Sequence, residues 1–302
     1  MTLIESGRDI DLAEPLVLLH KPGRYSIPEQ AYHADPLRHL GGSLSSTTAR
    51  KLLSPSCPAL ARWSADHPEH KDAYDLGSVT HGLTLGRGCE IVEVPAPSWQ
   101  TKAAKEARED ARARGAVALL SKDLAAAQAM RDAVHADSLA HVLLTQDGAP
   151  EQTLIWREPV PGTDAAVWAR AMLDYWPAPG RGWLPIVVDL KTTPDVSDEH
   201  LQRSIWSFGY HQQADWYTRA YRAVHDEAPD FFFVFVQKDP PHLVRVVQLD
   251  ADLQRLGREA NDAALQVWHS CQTSGVWPAY PPVGDITLIG PPRWARTLED
   301  QS

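Results

Sequence analysis

The chain has 302 residues, 43% of them hydrophobic and 11 of them Trp, enough apolar material for a sizeable core and too much for a disordered chain. Its formal net charge of −10 argues against a protein that coats nucleic acid over its whole surface, but not against an enzyme that grips DNA through a local basic channel. No apolar run approaches the roughly 20 residues that span a bilayer, and the opening "MTLIESGRDIDLAEP" lacks the basic-then-apolar order of a signal peptide, so the sequence reads as cytoplasmic with no membrane partner.

Residues 1–40 hold several turn formers ("HKPGRYSIPEQAYHADP") and read as an irregular entry segment before a single domain over 41–280. In "GGSLSSTTARKLLSPSCPALARW", Ser45 or Ser46 is placed to cap a helix whose apolar positions include Leu52 and Leu53. "LGSVTHGLTLG" (76–86) predicts a short helix with Gly77 and His81 four apart on one face. The Ala-rich, mixed-charge stretch 101–137 predicts two helices joined near Gly115, their charges forming a solvated face. From 150 the period changes: "EQTLIWREPV", "AAVWARAMLDYW" and "LPIVVDLKTT" predict three successive strands joined by Pro/Gly-rich turns. A helix is expected from about Asp198 to Val224, then a buried strand in "DFFFVFVQKD" and a partner for it in "HLVRVVQLD". A closing amphipathic helix and a Pro-rich tail over 281–302 complete the chain. This order indicates an α/β class, a central mixed β-sheet flanked by helices with a helical N-terminal part.

Chemistry concentrates in "IVVDLKTT". A strand turns successive side chains to opposite faces, so Asp189 and Lys191 share one face of a segment that otherwise reads as interior. Asp174 ends the preceding strand, and the intervening stretch is the right length for a turn and a return. If the two strands pair, Asp174 and Asp189 converge, and two adjacent carboxylates repel each other unless a hard cation such as Mg²⁺ sits between them. Lys191 beside that cation is placed to position or deprotonate a water, or to steady charge on a phosphate. On its own, an Asp-x-Lys pair reads as a surface salt bridge. What weakens that reading is company: Tyr210, Gln213 and Tyr217 fall on one face of the following helix, and His81 adds a polar group from another. The three cysteines (Cys57, Cys89, Cys271) are widely spaced, form no CxxC pair and read as buried or incidental thiols.

In this order "YHAD", "SLSSTTARKLLSPSCPALARW", "LGSVTHGL", "RAMLDYW", "VVDLKTT" and "GYHQQADWY" resemble the PD-(D/E)XK nucleases, specifically the RecB-like branch and its RecE-type exonuclease VIII members. The resemblance runs from about Tyr25 to Trp277. It implies a restriction-endonuclease-like core with Asp174 and Asp189 as metal ligands, the Leu190 carbonyl as a third, and Lys191 as the catalytic lysine. It places His81 near the metal, and Glu151 in the position of an acid that sometimes completes the site; Glu158 competes with Glu151, and spacing does not choose between them. Tyr210, Gln213 and Tyr217 match the motif after the lysine, for which DNA contact or orientation of the lysine is implied. Leu173 stands where the motif's name has proline, and the cysteine cluster of some relatives is missing, so no iron–sulfur cofactor is expected.

The function so implied is a Mg²⁺-dependent exonuclease, with Mn²⁺ able to substitute, that degrades double-stranded DNA from its ends 5′→3′ and leaves 3′ single strands. The resemblance further implies a homo-oligomeric ring, a single-strand annealing partner in phage-type recombination, and a phage or prophage origin in a bacterial host. Two rivals stand beside it: a catalytically inactive DNA-end binding or assembly protein, and an endonuclease or single-strand nuclease with the same metal site.

Overall fold

The computed structural model describes residues 19–67, 76–87, 90–145, 148–177, 185–280 and 286–290. The first part contains β1 (Gly23–Tyr25), α1 (Glu29–His33), β2 (Leu44–Ser45), α2 (Ser46–Lys51), α3 (Pro58–Asp66) and α4 (Leu76–Leu85). There follow β3 (Ile91–Val94), α5 (Lys102–Ala113), β4 (Val117–Leu120), α6 (Ser121–Ala136) and α7 (Ser138–Thr145). The second half comprises β5 (Gly148–Pro159), β6 (Ala166–Pro177), β7 (Ile186–Thr193), α8 (Asp198–Ser207), α9 (Tyr210–His225), β8 (Asp230–Gln237), β9 (Val244–Val247) and α10 (Ala251–Ser274).

β1, β5, β6, β7, β8 and β9 lie side by side in that order, and β2 pairs with β6 to make a seven-stranded sheet. All ladders are antiparallel except β7–β8 and β2–β6, so the sheet is mixed. The parallel neighbours β7 and β8 are buried on both faces, as parallel strands usually are. Val187, Phe233 and Phe235 pack toward α8, α9 and α10 around Trp156, Trp176, Trp216 and Leu265. Val188, Leu190, Val234 and Val236 pack on the opposite face, against Met130, Val134, Leu143 and Leu144. Each such side chain contributes about 1.5–3 kcal/mol on burial. Asp189 continues the face of Val187 and is 0% exposed, a carboxylate standing at a core position.

Three local features differ from the sequence expectation. Gly23–Tyr25, within the segment read as irregular, is an edge strand paired with Thr153–Ile155. The stretch 101–137 is helix, strand, helix: after the turn at Gly115 (φ 74°), "VALL" forms β4 and pairs in parallel with β3 as a separate two-stranded sheet. The helix expected over 198–224 is two helices, broken at Gly209 with φ 64°. The turn over 178–184 and most of the Pro-rich tail lie outside the described residues, as does Cys89; Cys57 and Cys271 are buried free thiols.

Two contacts hold the frame around the site. α10 crosses α9 at Gly257, where a Cβ would meet the His211 carbonyl oxygen at 2.2 Å, and Asn261 Nδ2 donates to the Gln212 carbonyl at 2.9 Å. Asp35 accepts from the Ser43 N–H at 2.8 Å and pairs with Arg170 at 3.2 Å beneath the Tyr32 ring, which fastens the end of α1 to β6.

Candidate active site

β6 and β7 meet at one paired position, Tyr175 with Val188. That register sets Asp174 opposite Asp189. Beyond it the strands part, and the Asp174 side chain stands in for a ladder partner: its Oδ2 accepts the Leu190 N–H at 2.9 Å. β6 loses its alternation at the same point, because Leu173 packs in one core and Tyr175 in the other although two apart. Across from Asp174 on β5, Glu151 has φ 49°, a left-handed conformation that a non-glycine residue adopts at a cost of about 1–3 kcal/mol. A seam opens between two strands, with strained backbone on its rim.

Side chains enter the seam from both faces. From α4, His81 Nε2 meets Asp174 Oδ2 at 2.6 Å. From β7, the Lys191 ammonium pairs with Asp189 Oδ2, an oxygen that accepts no directional hydrogen bond. From α9, Gln213 Nε2 donates to Asp189 Oδ1 at 2.9 Å and to the Tyr217 hydroxyl at 3.0 Å, and the Tyr210 ring lies 5.2 Å from the Lys191 nitrogen. The Asp174, Lys191 and His81 side chains stay 15%, 20% and 23% exposed, so the cluster opens to solvent.

The charges are interdependent. Burial, then the neighbouring Asp174, push the Asp189 carboxyl up to about 6, against the pull of Lys191. Burial would likewise raise Asp174, but the His81 charge and hydrogen bond bring it below the ordinary value. Burial would lower the Lys191 ammonium, yet Asp189 and Asp174 hold it above its usual value. His81 follows the same pattern, burial opposing and Asp174 prevailing, so its imidazole is held above the ordinary value. The lysine is therefore an ammonium at neutral pH, suited to stabilising negative charge and unsuited to removing a proton.

Asp174, Asp189, Lys191 and His81 thus come together, with Glu151 alongside: burial raises its carboxyl while His81 and Arg87 oppose this, Arg87 Nε lying 3.7 Å from its Oε2. Glu158 is at the other end of β5 and is held by Arg219 at 3.0 Å. One expectation needs correction. Gln213 and Tyr217 are buried behind Asp189, so Gln213 orients a carboxylate and neither side chain presents a surface to DNA. His81 lies beside the carboxylates as expected, its Nε2 directed at Asp174 Oδ2 at 2.6 Å. Sequence reasoning missed two further residues. Glu29, on α1, is near enough to His81 and Asp174 to feel their charges. Arg50, on α2, is near enough to feel Tyr217, Tyr210 and Asp189. Arg50 stands inside the "SSTTARK" helix start; Glu29 had no sequence signal.

Among the described residues no group of three His, Cys, Asp or Glu side chains is arranged to hold a metal ion. The available donors are two carboxylates and the Leu190 carbonyl, hard oxygens of the kind Mg²⁺ takes together with water. Asp189 Oδ2 is a buried oxygen whose one partner is the Lys191 ammonium, in a carboxyl that burial and Asp174 disfavour as an anion. A divalent cation would favour the ionised carboxylate, so the donor set fits one.

A seven-stranded mixed sheet flanked by helices, with acid, acid and lysine in the seam of neighbouring strands, is the restriction-endonuclease-like α/β architecture. Residues 45–288 match the family model described as a PDDEXK-like domain of unknown function, DUF3799, and the chain belongs to that family. In fold it is similar to a candidate exonuclease from Eubacterium rectale, with TM-score 0.60 and 12% identity over 90% of this chain and 98% of that one. Identity that low speaks to the fold alone. The structure of SSO0001 is 13% identical over 74% of this chain and 79% of that one, and its TM-score of 0.32 carries no argument. No curated protein matches by sequence. Among the described residues no helix is long and apolar enough to cross a membrane.

Proposed function

We propose that the protein is a Mg²⁺-dependent exodeoxyribonuclease, with Mn²⁺ able to substitute, that degrades double-stranded DNA from its ends. The observation that carries the reading is the convergence of Asp174, Asp189 and Lys191 at a solvent-open seam. Asp174, Asp189 and the Leu190 carbonyl would hold the cation, which would supply a water of lowered pKa and neutralise phosphate charge. His81 fixes Asp174 and Gln213 fixes Asp189, so both carboxylates present set orientations. Lys191 stays protonated and donates to a non-bridging phosphate oxygen as negative charge builds there. Water forms the new bond to phosphorus and loses a proton to solvent, while the bond to the leaving oxygen breaks and that oxygen takes up a proton from solvent.

The 5′→3′ polarity, a ring-shaped homo-oligomer, an annealing partner, a phage or prophage setting and action in the cytoplasm are supported by the order of the motifs quoted above. A ring also reconciles a net charge of −10 with DNA binding, since basic residues need line only its channel. The test is digestion of duplexes labelled at either end, beside a covalently closed circle of the same sequence. We expect Mg²⁺-dependent release from 5′ ends and an untouched circle. Cutting of the circle would make the enzyme an endonuclease, and no degradation with Mg²⁺ or Mn²⁺ would remove the nuclease reading altogether.

A further inference from the structure

The break between α8 and α9 stands beside the seam and carries two large aromatic side chains in solvent: Trp206, 56% exposed, and Phe208, 57% exposed. Neither ring is loose. Trp206 stacks on His211 with centroids 5.0 Å apart and planes 7° from parallel. Phe208 stacks on Tyr210 at 5.6 Å, and Tyr210 in turn lies 5.2 Å from the Lys191 nitrogen. A continuous aromatic path therefore leads from the surface to the lysine.

Arg50 reaches the same elbow from α2. Its stem packs on Gly209, where a Cβ would meet Arg50 Cδ at 2.5 Å, and φ of 64° independently favours glycine. Its guanidinium donates to the Phe208 carbonyl, while its Nε is buried without a hydrogen-bond partner. A second donor, on Nη2, reaches Thr47 Oγ1 at 3.5 Å, and the remaining Nη donors are left without a protein acceptor, next to exposed rings and close to Asp189. Burying Trp206 and Phe208 would have gained about 1.5–3 kcal/mol each. Pre-set rings beside a cation with donors to spare are the chemistry that holds single-stranded nucleic acid.

We propose that this elbow is a nucleobase-stacking subsite. Phe208 and Trp206 stack on unpaired bases of the DNA strand whose phosphate lies at Lys191, and Arg50 contacts a neighbouring phosphate. The proposal rests on the nuclease reading and adds to it a preference for ends with unpaired bases. The charge of Arg50 and the continuity with Lys191 favour a nucleic-acid strand over a protein partner for these rings.

The test is fluorescence anisotropy in a Lys191→Ala background, so that the DNA survives. The probes are a duplex with a short unpaired thymine end and the same duplex with abasic nucleotides in that end. Phe208→Ala combined with Trp206→Ala is expected to weaken binding of the thymine end about tenfold, about 1.4 kcal/mol, and to leave the abasic end unchanged. Phe208→Tyr is expected to keep the affinity. Arg50→Gln is expected to weaken both ends alike and to reduce the salt dependence by about one phosphate contact. Equal loss on both ends in the aromatic variant, or no loss on either, overturns the subsite. If the wild type degrades duplex ends while the aromatic variant binds as its parent does, the subsite fails and the nuclease reading stands. If the wild type binds neither probe, both fail.

Discussion

Two clusters of buried charge share helix α9, one reaching Glu158 on β5 and the other Asp189 on β7, and they are finished differently. At one end, Arg219 of α9 meets Glu158 of β5 at 3.0 Å, Asp215 at 2.7 Å and Asp262 at 2.7 Å. Asn261 also donates to Asp215 at 2.9 Å, and Trp156 Nε1 donates to the second Glu158 oxygen. Burial would lower the Arg219 guanidinium, but Asp215 and its fellow acids hold it well above its ordinary value. At the other, Gln213 of the same helix serves one oxygen of Asp189 and the Lys191 ammonium pairs with the other. In the knot three acids surround one guanidinium that they hold charged; in the seam Asp189 stays disfavoured as an anion even beside its ammonium. That difference separates a structural knot from a candidate active centre more sharply than burial, because both clusters are mostly buried.

The comparison breaks most directly by mutating both ends. Asp189→Asn and Lys191→Ala are expected to lower DNA cleavage about a thousandfold and to remain folded. A variant that loses its fold instead would return the pair to a purely structural role. Arg219→Met is expected to do the reverse. Leaving three acids without their cation costs about 3–5 kcal/mol of stability, read from urea denaturation, while cleavage per folded molecule stays near wild type. Loss of cleavage at unchanged stability would mean that the knot belongs to the catalytic machinery.

How much of this is legible in the chain depends on the range of the interaction. A period of two places Asp189 and Lys191 together wherever "IVVDLK" is a strand, and the short spacing from Asp174 lets the preceding strand bring it opposite, so the seam's three principal charges are readable from spacing. Choosing between Glu151 and Glu158 requires the register of β5 on β6, which pairs Pro150 with Tyr175 and Glu158 with Val167 and so sends the two acids to opposite ends. No local pattern contains that register. β3 and β4 escape for a related reason: each is four residues long, and they pair in parallel across α5, so neither has a hairpin signal. The role of Gln213 is half legible. Helical spacing puts it on a face with Tyr210 and Tyr217, but only packing shows that the face looks inward at Asp189.

Gln213 therefore offers a milder way to sharpen the contrast. Gln213→Leu removes the donor that orients Asp189 and leaves every charge in the seam. We expect a 10- to 100-fold loss, the usual consequence of removing a group that orients a metal ligand. It should appear as a raised Mg²⁺ requirement that excess Mg²⁺ partly restores. A loss that no Mg²⁺ concentration relieves would show that Gln213 acts on the substrate and not on Asp189.

The smallest effect is a pH dependence confined to the seam. Asp189 sits at about 6 in the folded protein, because burial and Asp174 oppose its ionisation; in an unfolded chain it would sit near about 3.9. A raised carboxyl favours the folded state only while it is protonated. Its contribution is therefore lost as pH climbs from about 4 through about 6, and metal-free protein should lose stability over that window relative to Asp189→Asn. A divalent cation needs the same carboxyl ionised, so the rise in melting temperature on adding Mg²⁺ should be larger at about pH 7.5 than at about pH 5. In Asp189→Asn both trends should vanish, and in Arg219→Met both should persist. If Mg²⁺ stabilises the wild type equally at the two pH values, the cation does not compete with a proton on Asp189, and that carboxylate is not its ligand.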